Sequence, residues 1–101
     1  MTTLVLVTGE QDGGIRKTYE RIIKRAGLRP KVVYVQRKCP TFQMKTGHVV
    51  LIDTKYISHS VYSKVRSDAQ RAGVTAFDAR VNPSSLLTIM QDYPPMAALM
   101  A

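Results

Sequence analysis

The sequence predicts an α/β domain, a small three-layer Rossmann-like or flavodoxin-like fold with a four-stranded parallel sheet in the order 2-1-3-4. Three observations carry this. Apolar, β-branched runs alternate with amphipathic helical stretches in the order β α β, short turn, β α β α. The run Val49–Ile52 is apolar without alternation, as a strand buried on both faces of a parallel sheet must be. A polar cluster (Asp53, Thr54, Lys55, Ser58, His59, Ser60) follows that run directly, at the carboxyl end of a strand, where open α/β sheets place their ligands.

Thr3–Thr8 is a short β-branched run that ends at Gly9, and it reads as the first strand. The turn-rich Gly9–Gly14 loop leads into a helix over about 14–27. Ile15, Tyr19, Ile22, Ile23 and Ala26 fall on one helical stripe, and Arg16, Lys17, Glu20, Arg21, Lys24 and Arg25 fall off it. Gly27 suits a helix C-terminus, and Pro30 blocks continuation. Lys31–Gln36 reads as the second strand. The least regular part, 37–47, contains Cys39-Pro40 and a short helical turn over 41–45 that would bury Phe42 and Met44. His48–Asp53 is the third strand. The second helix runs from Ser58 to Ala72 and stops at Gly73, with Val61, Tyr62, Val65, Ala69 and Ala72 facing inward. Val74–Ala79 is the fourth strand. Asn82 caps and Pro83 opens a third helix over 83–91, which buries Leu86, Leu87 and Met90. Residues 1–91 form one domain. Residues 92–101 form an apolar tail expected to pack on the domain or on a second copy of the chain.

The charge is lopsided. Of 15 Lys and Arg residues and 7 Asp and Glu, ten of the former and three of the latter lie in residues 1–47. A basic excess so concentrated points to an anionic partner. The single cysteine, Cys39, cannot form an intrachain disulfide, and the simplest setting for such a chain is the cytoplasm. The opening residues have no basic region and no cleavage signature, so neither a signal peptide nor a membrane span is expected.

With strand order 2-1-3-4, winding reverses between the first and third strands, and the crevice beyond their carboxyl ends is the expected ligand site. Two loops should meet there. The expected ligand-binding residues are Gly9, Gly13 and Gly14 on one, and Asp53, Lys55, Ser58, His59 and Ser60 on the other. Glycines allow a backbone to approach a phosphate closely, and a helix N-terminus offers unpaired N–H groups. The pattern Gly9-x-x-x-Gly13-Gly14 is neither the dinucleotide fingerprint nor the P-loop, and Glu10 and Asp12 oppose an anion. The competing reading is a tight turn with Asp12 as helix cap. Ser58 equally suits an N-cap, and His59 a surface histidine. No catalytic constellation is complete: Cys39 has no evident base. No cofactor is expected from a full motif. Two partial ones are magnesium on Asp53 with Glu10 or Asp12, and haem on Cys39-Pro40 with His48 or His59.

The run from Val49 to Val74, with Gly9 and the late Ser84-Ser85-Leu86, resembles a family of small α/β proteins from bacteria and phages known as a domain of unknown function. The family's strand ending in Asp matches Asp53. Its Ser-His pair opening a helix matches Ser58-His59, and that helix's Lys and Ala match Lys64 and Ala69. The resemblance covers roughly residues 3–90. It implies the fold and carries no activity, and the segment 37–47 departs from the family pattern.

The first expectation for function is a non-enzymatic module binding a polyanion, most simply nucleic acid, through Arg16, Lys17, Arg21, Lys24, Arg25, Arg37 and Lys38. The second is a small-ligand sensor or enzyme that takes a nucleotide or phosphorylated metabolite in the crevice. The third is a phage or mobile-element protein that docks on a host protein, or on a second copy, through the tail and the Phe42–Met44 segment.

Overall fold

The structure, a computed structural model, describes residues 2–9, 13–35, 44–45 and 47–100. Eight elements follow in order: β1 (Thr3–Thr8), α1 (Gly13–Arg25), β2 (Arg29–Tyr34), β3 (His48–Asp53), α2 (His59–Ala72), β4 (Thr75–Ala79), α3 (Leu86–Asp92) and α4 (Pro94–Ala97). The four strands form one all-parallel sheet in the order β2-β1-β3-β4, as the alternation of elements predicts.

The sequence pattern sorts the strands by position. β1 is buried along its whole length and β3 everywhere but His48, and these unbroken apolar runs are the two central strands. β2 and β4 mix buried and exposed positions and form the edges. Alternation then divides the core. Leu4, Leu6, Val32, Val49, Leu51 and Phe77 pack against Tyr19, Ile23 and Ala26 of α1 and against Leu86, Met90 and Met96. Val5, Val7, Val50 and Ile52 face the other way, against Val61 and Val65 of α2. Each large aliphatic side chain buried this way contributes about 1.5–3 kcal/mol. The result is three layers, with α1, α3 and α4 on one face of the sheet and α2 on the other.

Both long helices end in the same device. Gly27 and Gly73 adopt positive φ, 87° and 69°. Leu28 N–H donates to Ile23 O and Gly27 N–H to Lys24 O. Val74 and Gly73 repeat this pair onto Ala69 and Gln70. These are Schellman closures, which turn the chain directly into β2 and β4.

Two elements start elsewhere than the sequence reading puts them. β2 starts at Arg29 rather than Lys31, and so includes Pro30. Pro30 ends no strand here, because β2 pairs only with β1 and an edge strand has ladder positions that need no N–H. Arg29 N–H donates to Thr2 O at 2.9 Å and anchors the ladder just before the proline. The third helix has its regular ladder only from Leu86. Asn82 nevertheless caps the turn before it: its Oδ1 accepts from Ser85 N–H at 2.9 Å and from Ser84 Oγ at 2.7 Å, and its own N–H donates to Ser85 Oγ. Tyr93 and Met96, at the start of the expected tail, pack on the α1-face core. Met96 is fully buried, and Tyr93 stacks on Phe77 with ring centroids 4.0 Å apart.

Gln36 and the segment carrying Arg37, Lys38, Cys39-Pro40 and Phe42 lie outside the described residues, as do Glu10 and Asp12. Met44 is half-buried against the α2-face core. No helix among the described residues is long and apolar enough to cross a membrane.

Candidate functional site

The polar residues at the carboxyl edge of the sheet fall into two groups with different fates. The first is turned inward. Asp53 closes β3, and by strand alternation its side chain lies on the α1 face with Val49 and Leu51. It is fully buried. Its carboxyl oxygens accept from Thr8 Oγ1 at 2.8 Å, Lys55 N–H at 3.1 Å and Val81 N–H at 3.1 Å. Lys55 Nζ donates to Val81 O at 3.1 Å, and the Tyr19 hydroxyl donates to the same oxygen at 3.4 Å. Asp53 thus ties the ends of β1 and β3 to the chain leaving β4, while Lys55 and Tyr19 fasten that chain from either side. The network satisfies its buried groups: no buried side-chain nitrogen or oxygen among the described residues lacks a partner.

Gly9 belongs to the same closure. A Cβ placed there would lie 2.7 Å from Tyr56 O and 2.8 Å from Tyr56 Cβ. The loops after β1 and β3 therefore do meet, as strand order 2-1-3-4 requires, but at Gly9 they meet in van der Waals contact with Tyr56. Gly9, Asp53 and Lys55, expected as ligand residues, hold this junction together. Gly13 and Gly14 form the first residues of α1, where Gly14 O accepts from Thr18 Oγ1 at 3.1 Å.

The second group is exposed and opens α2. Ser58 is the N-cap, accepting from Val61 N–H at 3.3 Å, and its Oγ lies 3.2 Å from Ser60 Oγ. His59 is exposed, with its ring stacked near Tyr62 at 6.5 Å. A cleft of about 310 Å³ opens beside it, lined by Thr54, Ile57, His59, Tyr62 and Asp78. This cleft lies one strand over from the expected crevice, beside α2 at the ends of β3 and β4. Sequence reasoning missed Asp78. Its carboxylate accepts from the Tyr62 hydroxyl at 3.2 Å and pairs with Arg66 at 3.3 Å. The signal for it was strand alternation: Asp78 falls on the α2 face with Ala76, facing Tyr62 and Arg66 one helical turn apart. A carboxylate in the wall suits a hydroxyl or cationic group on a ligand better than a phosphate.

The basic residues of α1 also separate. Arg16 is engaged by the fold. Its Nη2 donates to Val32 O at 3.2 Å, its Nε pairs with Glu20 at 3.3 Å, and its guanidinium lies over the Tyr34 ring at 5.4 Å. Lys17, Arg21, Lys24 and Arg25 are exposed and have no ion-pair partner among the described residues. At 100° per residue they span one arc of the helix, opposite the buried stripe of Ile15, Tyr19, Ile22, Ile23 and Ala26. On α2, by contrast, Lys64 and Arg71 both pair with Asp68 and hold its carboxyl below the usual range, chiefly through the hydrogen bond from Lys64.

For magnesium, the one carboxylate of the expected set that is described, Asp53, is filled by the three donors above. For haem, the Cys39-Pro40 pair lies outside the described residues; of the two alternative second ligands, His48 opens β3 at the amino edge of the sheet and His59 opens α2 at the carboxyl edge. Among the described residues no group of three or more His, Cys, Asp or Glu side chains is placed to hold a metal ion. Comparison of the chain with models of protein families, with curated proteins and with solved structures gives no match in any of the three. No activity or partner of another protein carries over to this chain.

Proposed function

We propose that this protein is a non-enzymatic module that binds a polyanion, with nucleic acid as the partner class, through the exposed face of α1. The observation that supports this is the arc of Lys17, Arg21, Lys24 and Arg25, four exposed cations on one face with no ion-pair partner among the described residues. Along the helix axis the arc covers about 12 Å. Duplex nucleic acid presents a phosphate every ~1.7 Å of axis, so several fall within reach of one helix face. Arg16 braces α1 against β2 and keeps that face in place. Arg37 and Lys38 belong to the same proposal and lie outside the described residues.

Binding of this kind is sequence-nonspecific and weakened by salt. The chain offers little for base recognition. Among the described residues Tyr56 is the one large exposed aromatic side chain, and it packs at the carboxyl edge under Lys55. Stacking on unpaired bases is therefore no part of the proposal. The test is fluorescence anisotropy on labelled duplex and single-stranded oligonucleotides of unrelated sequence, at ~50 mM salt where phosphate contacts are strong. Binding of all the duplexes with similar affinity is expected. No binding of any would exclude the proposal.

The cleft beside His59 favours a second reading, a small-ligand site at the carboxyl edge. A thermal-shift screen of small ligands that carry hydroxyl or cationic groups, nucleosides and amines beside nucleotides, would reveal it. Stabilisation of the wild type that disappears in His59→Ala is the outcome this reading needs.

A further inference from the structure

A second concentration of positive charge lies at the amino edge of the sheet, and the strand register builds it. Thr3 of β1 stands beside Arg29 of β2 and beside His48 of β3, and Lys31 pairs with Val5 two residues along. Thr3, Arg29, Lys31 and His48 share the strand parity of Val5, Val33 and Val50, so all four side chains emerge on the α2 face of the sheet. Lys45, on the turn into β3, joins them. Together with Pro30 they line a pocket of about 270 Å³. Its described lining carries three cations, a histidine, a hydroxyl and no acid. The α1 arc lies on the opposite face of the sheet, so the two basic surfaces are separate.

We propose that this pocket is a binding site for a phosphate group, either free or carried as a monoester on a small molecule. The size suits a small anion rather than a drug-sized ligand, which fills roughly 300–1,000 Å³. The donors differ in kind. Arg29 offers a planar fork that matches two phosphate oxygens, Lys31 and Lys45 offer point charges, and Thr3 a hydroxyl. His48 Nδ1 accepts from Lys45 N–H at 3.3 Å, so the neutral ring carries its proton on Nε2 and has a further N–H to donate. The positive field of the pocket is visible in His48 itself. Burial first, and then Lys31 and Lys45, hold its pKa below the ordinary histidine value. A bound dianion would be attracted by all three cations at once. Among the described residues the charged groups lining the pocket with this ring are Arg29 and Lys31 from β2 and Lys45 from the turn, and β1 adds Thr3, which is uncharged.

NMR of the His48 ring during titration with inorganic phosphate, with a simple alkyl phosphomonoester and with chloride at matched ionic strength tests this directly. Saturable shifts with either phosphate compound, absent with chloride, are expected. The tighter of the two identifies the source of the phosphate group. In the double variant Arg29→Gln/Lys45→Gln, both at exposed positions, affinity should fall at least tenfold. Neutralising Lys17, Arg21, Lys24 and Arg25 should leave the His48 response intact, which separates this pocket from the α1 face. Shifts equal to those from chloride, an undiminished response in the double variant, or loss of the response in the α1 variant would each overturn the proposal.

Discussion

The two ends of the sheet make opposite use of similar residues. At the carboxyl edge, Asp53, Thr8, Lys55 and the backbone of Val81 satisfy one another, and Tyr56 seals them against Gly9. At the amino edge, Arg29, Lys31, Lys45 and His48 converge on an open pocket with no acid in its described lining. A polar cluster after a strand is therefore no guarantee of a ligand site: its groups can be consumed in closing the fold. Charge of one sign that gathers with no acid among its described neighbours marks a surface where a partner of opposite sign would be stabilised.

Breaking the carboxyl-edge closure should have the largest effect. Asp53→Ala leaves the buried Val81 N–H, the part-buried Lys55 N–H and the buried Thr8 hydroxyl without their acceptor, and unmet buried donors cost about 1–3 kcal/mol each. A loss on the order of 4 kcal/mol is expected in urea denaturation, enough to threaten a domain of this size. Asp53→Asn keeps one acceptor oxygen for the N–H groups of Lys55 and Val81 and should cost much less. If the two substitutions were equally mild, Asp53 would not be the fastening described here. Gly9→Ala should come next. Its methyl group would press on the Tyr56 backbone, and overpacking of this kind costs about 1–3 kcal/mol. A neutral Gly9→Ala, measured the same way, would mean that the two loops stand further apart.

At the amino edge the expected stability effect is smaller and depends on pH. The folded pKa of His48 is depressed, so the unfolded chain binds the proton more readily. Its contribution is complete above the ordinary histidine value, about 6.5, and declines as pH falls through that value towards the folded pKa. Thermal unfolding followed from about pH 7.5 to 5 should show this acid sensitivity in the wild type, with a flatter profile in His48→Gln. A matching slope in both proteins would remove His48 from the account.

Much of the fold was legible in the sequence because burial wrote itself into residue choice. Val49–Ile52 and Leu4–Val7 could only be central strands. Gly27 and Gly73 marked helix ends that the backbone geometry realises. Pro30 lies beyond the end of α1, as read, but its place inside β2 depends on whether a strand is central or at an edge, which the local pattern does not contain. The site was less legible. Asp53 and Lys55 stood out as chemistry-bearing residues, but their main partner is the backbone of Val81, which has no letter of its own and lies 28 residues from Asp53. Arg16 looked like its neighbours on α1, yet Glu20, Val32 and Tyr34 hold it. The amino-edge pocket was hidden for a different reason. Arg29 and Lys31 are separated from Lys45 and His48 by the whole crossover, and only the pairing of β2 and β3 on either side of β1 brings them to one face.

The α1 surface is where function and stability should part most cleanly. Replacing Lys17, Arg21, Lys24 and Arg25 with Gln touches no buried contact, and each substitution should change stability by no more than about 0.5 kcal/mol. The decisive measurement is the salt dependence of duplex binding for the wild type and this fourfold variant. Each phosphate neutralised contributes about −0.9 to the slope of log K against log salt. The account predicts that the variant remains folded, binds more weakly and loses roughly three to four units from the steepness of that slope. A wild type that fails to bind at ~50 mM salt, or a variant with the wild-type slope, would contradict it.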